Sequence, residues 1–233
     1  MPVHPYILIA LGGYLLGSIP FGFLVAKAKG IDIRSVGSGN IGATNTMRVL
    51  GKPAGIAVLL LDAAKGFAAC LLAKYLIARF GISFYDYFGD PYTLRAYIDH
   101  FLYYPPEQHN CGPIIAGICA VLGHNYTCWL KFKGGKGIAT TAGVYLALAP
   151  WALLVALVVF ILAVLFTRYI SVGSIGGAIA LPTTVWIMTP NNLFLGFVTT
   201  ALGVLAIYKH KANIQRLRAG TENRFGKKAE VNQ

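Results

Sequence analysis

The run of residues 137–167 contains no charged side chain, and it constrains the fold more than any other segment. A single straight helix of this length would extend about 46 Å, whereas the hydrocarbon core of a bilayer is about 30 Å thick. Pro150 lies inside the run, and proline interrupts a helix because it lacks a backbone N–H. The run therefore predicts two membrane-spanning helices, a short one before Pro150 and another over residues 151–167.

Five further apolar segments of spanning length are separated by polar loops, at residues 6–28, 53–78, 113–130, 170–188 and 193–208. Apolar residues make up 56% of the chain and charged residues only 12%, a balance typical of polytopic membrane proteins and unlike that of soluble domains. The sequence predicts an all-α integral membrane protein, one domain over residues 1–233, with about seven transmembrane helices.

Charges in the loops predict the orientation of these helices. Lysine and arginine are concentrated in residues 27–52, 131–137 and 209–233, with Arg168 between two later spans. Half of the eight acidic residues lie in residues 80–112. Basic loops face the cytoplasm, so seven spans with the N-terminus outside fit this pattern, whereas six would place the tail outside. We expect an extracytoplasmic loop over 80–112 and a basic cytoplasmic tail over 209–233.

The first cytoplasmic loop contains an acid-free polar stretch, VGSGNIGATNTMR at residues 36–48. Glycines allow consecutive backbone N–H groups to point into one concavity, which binds anions. Hydroxyl and amide side chains add neutral hydrogen-bonding groups, and an arginine offers a planar fork suited to phosphate. The candidate ligands are Ser38, Asn40, Thr44, Asn45 and Arg48.

A second acid-free stretch, FKGGKG at residues 132–137, has the same design. Lys133 and Lys136 supply positive charge, and Gly134 and Gly135 are predicted to present backbone N–H groups to an anion. Both stretches could be plain connectors between helices. Their presence on the same predicted face indicates instead a site for phosphate groups.

The remaining ionisable groups predict no metal site. The inner loops contain only Asp32 as an acid before the tail, and the four cysteines lack zinc-ligand spacing. Asp62 and Lys65 lie three residues apart inside the second apolar segment. Such intramembrane pairs either have a function or play a structural role in which the two charges neutralise each other, and we favour the structural role here.

Six motifs occur in a fixed order along the chain: GSIPFG at 17–22, GSGNIGATN at 37–45, GH at 123–124, FKGGKG at 132–137, HKANI at 210–214 and GTE at 220–222. This ordered set resembles the bacterial acyl-phosphate:glycerol-3-phosphate acyltransferase family, PlsY. The resemblance covers nearly the whole chain apart from residues 80–112 and the extreme tail. Two departures are Thr127, where the family usually has proline, and the 80–112 loop, which looks like an insertion.

The resemblance implies a seven-helix enzyme of the bacterial cytoplasmic (inner) membrane that needs no cofactor and binds no nucleic acid. It would transfer a fatty acyl group from acyl phosphate to glycerol 3-phosphate, forming lysophosphatidic acid and inorganic phosphate, the first acylation of phospholipid synthesis. Its partners would be these two substrates, membrane lipids and the soluble enzyme that makes acyl phosphate. By position, the substrate-phosphate ligands would be Ser38, Arg48, Lys136, His210 and Asn213.

The general base stays open at this stage. His124, His210 or a phosphate oxygen of the substrate could take the proton, and Ser38 is a further candidate catalytic group. We favour the substrate as base, His210 as a ligand and His124 as a residue that holds the glycine loop. Acyl phosphate is a mixed anhydride with a good leaving group, so no covalent enzyme intermediate is required.

Two alternatives were weighed against this interpretation. Acyl-thioester acyltransferases often have an aspartate five residues after a histidine, and no histidine of this chain has one. A transporter or binding protein for an organic phosphate would use the same cations, and helices broken at Pro20 and Pro150 would suit it. Transporters commonly contain internal repeats, and the sequence has none that we detect, so we favour the enzyme.

Overall fold

A computed structural model of the protein describes residues 4–80 and 111–226, and every regular element in these two ranges is helical. The ten α-helices described there are α1 (His4–Ser18), α2 (Phe21–Lys27), α3 (Ala43–Leu50), α4 (Lys52–Phe80), α5 (Cys111–Asn125), α6 (Ile138–Leu148), α7 (Pro150–Thr167), α8 (Ile170–Met188), α9 (Leu193–Lys209) and α10 (Lys211–Arg218). A short 3₁₀ helix, Cys128–Leu130, follows α5. The predicted all-α fold is confirmed for these residues.

Within the described ranges, five helical segments are long and apolar enough to cross a membrane: Tyr6–Lys27, Lys52–Arg79, Cys111–Leu130, Pro150–Thr167 and Ile170–Met188. Helices α9 and α10 are bent by 51° relative to each other and would make a sixth span if counted together. Helix α6 is apolar but shorter. The protein is therefore a multi-pass membrane protein, and a count of seven requires α6 as a span.

Both predicted proline breaks are present. Helix α1 ends at Ser18 and α2 begins after Pro20, while Pro150 begins α7 directly after α6. At the first break the carbonyls of Ser18 and Ile19 lie at the end of α1, where no following helical turn supplies N–H groups to them. Other segments satisfy them: Thr127 Oγ1 donates to the Ser18 carbonyl at 2.6 Å, and Lys65 Nζ donates to the Ile19 carbonyl at 2.8 Å.

Small residues bring helices into close contact, as the Gly13-xxx-Gly17 pattern predicts. A Cβ atom added at Gly17 would lie 2.1 Å from the carbonyl oxygen of Ala120, and one added at Gly13 would lie 2.6 Å from that of Ala116. No side chain fits at such distances, so α1 packs directly on the backbone of α5. This contact places the α1–α2 break beside the end of α5.

Two local differences from the prediction shape the functional region. Residues 27–52 are predicted to be a loop, but they contain helix α3, which begins after Gly42. This helix carries polar residues on one side and Met47 and Leu50 on the other. The third span leaves α-helical geometry at Asn125, five residues early, because the chain turns there towards the glycine-rich loop. The predicted extracytoplasmic loop and the last residues of the tail lie largely outside the described residues.

Candidate functional site

A cavity of about 690 Å³ at one end of the helices brings together segments that are far apart in sequence. Nine of the twelve predicted site residues line it: Ser38, Asn40, Thr44, Asn45, Arg48, His124, Lys136, His210 and Asn213. The other three, Lys133, Gly134 and Gly135, do not. Residues of both glycine-rich stretches and of the start of the tail therefore meet in one cavity.

The first polar stretch is held in shape by the buried side chain of Asn45. Its Nδ2 donates to the carbonyls of Ile33 and Val36, and its Oδ1 accepts the backbone N–H of Ser38 at 2.8 Å. Gly37 has a positive φ of 64°, which glycine adopts without the clash of a Cβ atom. The amide of Asn45 is thus used inside the protein, and it positions Ser38 at the cavity wall.

Helix α3 supplies the cation of this stretch. Arg48 is half-buried, and its Nη1 lies 3.4 Å from Asn45 Oδ1. A guanidinium carries five N–H groups in a planar fork, so this one long contact leaves most of them available to a ligand. The helix turns Arg48 into the cavity, and no acidic side chain within residues 4–80 and 111–226 forms an ion pair with it.

The second glycine-rich stretch closes tightly over the end of α5. Lys131 and Phe132 both have left-handed backbone conformations, with φ of 53° and 59°. The following N–H groups are already used: that of Gly134 donates to the Asn125 carbonyl and that of Gly135 to the His124 carbonyl. In this conformation the two glycines offer no backbone donor to a ligand, contrary to the predicted nest. They act instead by letting the loop lie against α5.

The same loop separates its two lysines. Lys133 is exposed to solvent outside the cavity, whereas Lys136 is largely enclosed and its Nζ donates a short hydrogen bond to Asn213 Oδ1. Burial lowers the pKa of Lys136 to about 8; the nearby Arg216 and Arg48 act in the same direction, and Glu222 opposes them. The lysine that faces the cavity is therefore close to losing its charge near neutral pH.

Glu222 is a central residue of the site that sequence reasoning did not assign. Its carboxylate accepts hydrogen bonds from Ser171 at 3.0 Å, Asn213 at 2.7 Å and Arg216 at 2.7 Å. Burial would raise its pKa, but these donors outweigh burial and keep the pKa of Glu222 below its ordinary value. The carboxylate thus connects α8, α10 and the tail. The GTE motif contained the signal, but nothing in the sequence indicated which side chains Glu222 contacts.

Arg216 also lines the cavity, although it is not among the site residues predicted from the sequence. Its Nε is paired with Glu222, and the other side of its guanidinium faces the cavity that Arg48 and Lys136 line. Three cations from three segments therefore converge on one space. Such an arrangement suits anionic groups that carry more than one charge.

His210 is buried at the junction of α9 and α10. Its Nδ1 lies 2.7 Å from the carbonyl of Ala206, and because a carbonyl only accepts hydrogen bonds, Nδ1 carries the proton. In the neutral ring the other nitrogen, Nε2, then has a lone pair. His210 can accordingly accept a hydrogen bond from a hydroxyl group in the cavity.

A buried charge cluster lies beneath the glycine-rich loop. Lys65 Nζ is 2.7 Å from Asp62 Oδ1, and both side chains are only 2% exposed, so the predicted pairing is confirmed. Lys65 also contacts Nδ1 of His124 at 3.0 Å. No group of three or more His, Cys, Asp or Glu side chains within residues 4–80 and 111–226 is arranged to hold a metal ion.

Comparisons with known proteins agree on one family. The sequence profile described as glycerol-3-phosphate acyltransferase matches residues 7–220. The glycerol-3-phosphate acyltransferase of Geobacter metallireducens is 48% identical, with 94% of this chain and 97% of that protein covered. The glycerol-3-phosphate acyltransferase of Geobacter sulfurreducens is 45% identical, with 91% and 93% covered.

Two solved structures have the same fold. Both are crystal structures of PlsY, an integral membrane glycerol 3-phosphate acyltransferase. The glycerol 3-phosphate form superposes with a TM-score of 0.75 at 38% identity, covering 95% of this chain and 96% of that one. The lysophosphatidic acid form gives a TM-score of 0.73 at 37% identity, covering 95% of each chain.

Proposed function

The chain belongs to the glycerol-3-phosphate acyltransferase family, and we propose that it acylates glycerol 3-phosphate with acyl phosphate as the donor, at the cytoplasmic face of a bacterial inner membrane. The acyltransferase activity and the membrane embedding follow from the family. One observation carries the choice of donor: Arg48, Lys136 and Arg216 converge in a single cavity that also has an apolar wall. Two phosphate groups and a fatty chain require that combination.

The acceptor phosphate would bind between Ser38, Arg48 and Lys136. Arg48 provides a planar fork for two phosphate oxygens, Lys136 a point charge, and Ser38 a hydroxyl at the cavity wall. Asn40, Thr44 and Asn45 shape this side of the cavity. Asn213 holds Lys136 in place from α10.

The fatty chain of the donor would lie along the apolar wall. Leu59 of α4, Phe160 of α7 and Ile170 of α8 line the cavity. A chain entering between these helices keeps its methylene groups out of water while its phosphate reaches the cations.

Transfer then needs only bound substrates in correct positions. The hydroxyl oxygen of glycerol 3-phosphate forms the new ester bond to the acyl carbonyl carbon, and the bond from that carbon to the phosphate oxygen breaks. His210 Nε2 accepts the hydroxyl hydrogen bond and orients the attacking oxygen, and the proton passes to a phosphate oxygen of the leaving group. Orientation and charge stabilisation supply most of the acceleration. A soluble enzyme that makes acyl phosphate would supply the donor.

The deciding experiment uses the purified protein in lipid nanodiscs with labelled glycerol 3-phosphate. We expect one lysophosphatidic acid and one inorganic phosphate per acyl phosphate consumed, without added metal. Product formed from acyl-CoA but not from acyl phosphate would overturn the proposed donor. Passage of glycerol 3-phosphate across liposomes without acylation would favour the transporter.

The topology predicts a second observable. Seven spans, counting α6, place Lys29 inside and Asn191, in the turn between α8 and α9, outside. A single cysteine at position 191 should react with an impermeant thiol reagent added to intact cells in a cysteine-free background. A cysteine at position 29 should react only after the membrane is opened. Labelling of both from outside would contradict this orientation.

Lys136 predicts how activity depends on pH. Its pKa of about 8 means that the ammonium group is present below that pH and is lost above it. We expect kcat/KM for glycerol 3-phosphate to fall above about pH 8, since a phosphate monoester is already doubly charged above about pH 6. Lys136→Arg should move this fall to higher pH, because arginine keeps its proton. Lys131→Arg is the control. If kcat/KM falls at the same alkaline pH in Lys136→Arg as in the wild type, Lys136 is not the cause of the fall.

Glu222→Gln tests the network that holds these cations. Glutamine keeps the shape but removes the charge that pairs with Arg216 and favours the protonated form of Lys136. We expect a roughly ten-fold lower kcat/KM for the acceptor, the effect of one charged hydrogen bond, and an alkaline fall displaced to lower pH. Asp32→Asn is the matched control, because Asp32 pairs with Arg34 on the surface. Equal pH profiles for Glu222→Gln and wild type would refute this role.

A further inference from the structure

The buried cluster of Asp62, Lys65 and His124 has no part in the steps above, yet two of its members line the cavity. Lys65 Nζ contacts three groups: Asp62 Oδ1 at 2.7 Å, the carbonyl of Ile19 at 2.8 Å and His124 Nδ1 at 3.0 Å. All three side chains are at least 95% buried. A cluster that only neutralised the charge of Asp62 would not need to include the histidine.

The contacts of Lys65 determine which nitrogen of His124 carries the proton. A lysine ammonium has three N–H donors and no lone pair, so each group that it contacts must accept. The neighbouring carboxylate of Asp62 favours this charged form. His124 Nδ1 also lies 3.5 Å from Asp62 Oδ1, which is beyond the usual length of an N–H···O bond, whereas Lys65 Nζ is only 3.0 Å away. Nδ1 therefore accepts from Lys65, and the ring hydrogen is on Nε2. The Nδ1 lone pair is already used by Lys65, so it is not available to a substrate.

The Nε2 edge of His124 packs closely against Gly135. A Cβ atom added at Gly135 would lie 2.1 Å from Nε2 and 2.9 Å from each of the two ring carbons beside it. No side chain fits at such distances, so only glycine allows the loop to pack on the ring. Among residues 4–80 and 111–226, Nε2 has no hydrogen-bond partner. Gly137, two residues after Gly135, lines the cavity together with Lys136.

We propose that Lys65 and Asp62 hold His124 as the neutral Nε2–H tautomer, and that this N–H donates a hydrogen bond to a phosphate oxygen bound in the cavity that His124 lines. His124 is then a donor to the charged phosphate and not the general base. Lys65 and Asp62 are positioning residues that act through the ring. The hydrogen bond from His124 to phosphate depends on the proposed function, whereas the assignment of the tautomer does not.

The tautomer is tested by nitrogen-15 NMR of histidine-labelled wild-type protein in lipid, with His124→Gln used to assign the signal. We expect an unprotonated Nδ1 and a protonated Nε2. Added inorganic phosphate should shift the Nε2–H signal. Lys65→Met should produce a mixture of tautomers, whereas Lys74→Met, which removes a half-buried lysine of the same helix, should not. A protonated Nδ1 in the wild type would overturn the proposal even if acyl phosphate proves to be the donor.

Kinetics test the donor role. Glutamine can place an N–H near the position of Nε2, whereas alanine cannot. His124→Ala should lose about ten- to a hundred-fold in kcat/KM, and His124→Gln should retain most of it. A change in the KM of acyl phosphate alone assigns the bond to the donor phosphate, and a change for glycerol 3-phosphate alone assigns it to the acceptor. If both variants are equally inactive and both lose the acidic limb of the pH profile, His124 is the base and the proposal is wrong.

Discussion

Gly134→Ala is expected to reduce acyl transfer by at least about a hundred-fold. A Cβ atom at this position would lie 2.0 Å from the carbonyl oxygen of His124 and 2.9 Å from the carbonyl carbon and oxygen of Asn125. These are backbone atoms at the end of α5, so they cannot rotate away as a side chain could. The loop would have to move outwards and would carry Lys136 away from Asn213. Displacements of about 1 Å can cost about a hundred-fold in rate.

The measurement is kcat/KM for both substrates with the variant reconstituted in lipid. Gly12→Ala is the matched control, because a Cβ atom at Gly12 in α1 meets nothing within 4 Å. That variant should insert and turn over as the wild type does. Normal turnover of Gly134→Ala would show that the loop tolerates a displacement and that the position of Lys136 does not limit the reaction.

Arg48→Ala has the second-largest expected effect. Removing the guanidinium should cost about 1.5–3 kcal/mol of charge-assisted hydrogen bonding, which corresponds to about one to two powers of ten in kcat/KM for glycerol 3-phosphate. The donor KM should change less, because we propose that Arg48 of α3 binds the acceptor phosphate. Arg48→Lys keeps the charge but loses the planar fork, so it should act mainly through weaker acceptor binding.

The competing explanation is that Arg48 anchors the loop to anionic lipid head groups. Arg218→Ala removes an exposed cation at the end of α10 and controls for that effect. The two explanations separate when acceptor kinetics are compared at low and high content of anionic lipid. If Arg48→Ala leaves kcat/KM for glycerol 3-phosphate unchanged, only the explanation that Arg48 anchors the loop to lipid remains.

The sequence by itself determined the features that depend on neighbouring residues along the chain. Apolar runs long enough to cross a bilayer predict helices, because a backbone in lipid must satisfy its own hydrogen bonds. Pro20 and Pro150 mark the breaks because proline cannot donate. The small residues of α1 predict a close helix contact, and two acid-free stretches indicate a phosphate site. These signals depend only on residues that are close along the chain, so they can be interpreted without knowing how the helices pack.

The tertiary structure alone decided which polar groups have partners. Gly134 and Gly135 looked like a backbone nest for an anion, but their N–H groups bond to the end of α5, which the sequence does not place beside them. Glu222 became a central residue because Ser171 of α8 and Arg216 of α10 meet at its carboxylate. Lys65 contacts Nδ1 of His124 from a helix far away in sequence. Hydrogen bonds and ion pairs act over a few ångströms in space, so their partners follow from how the helices pack and not from residue order.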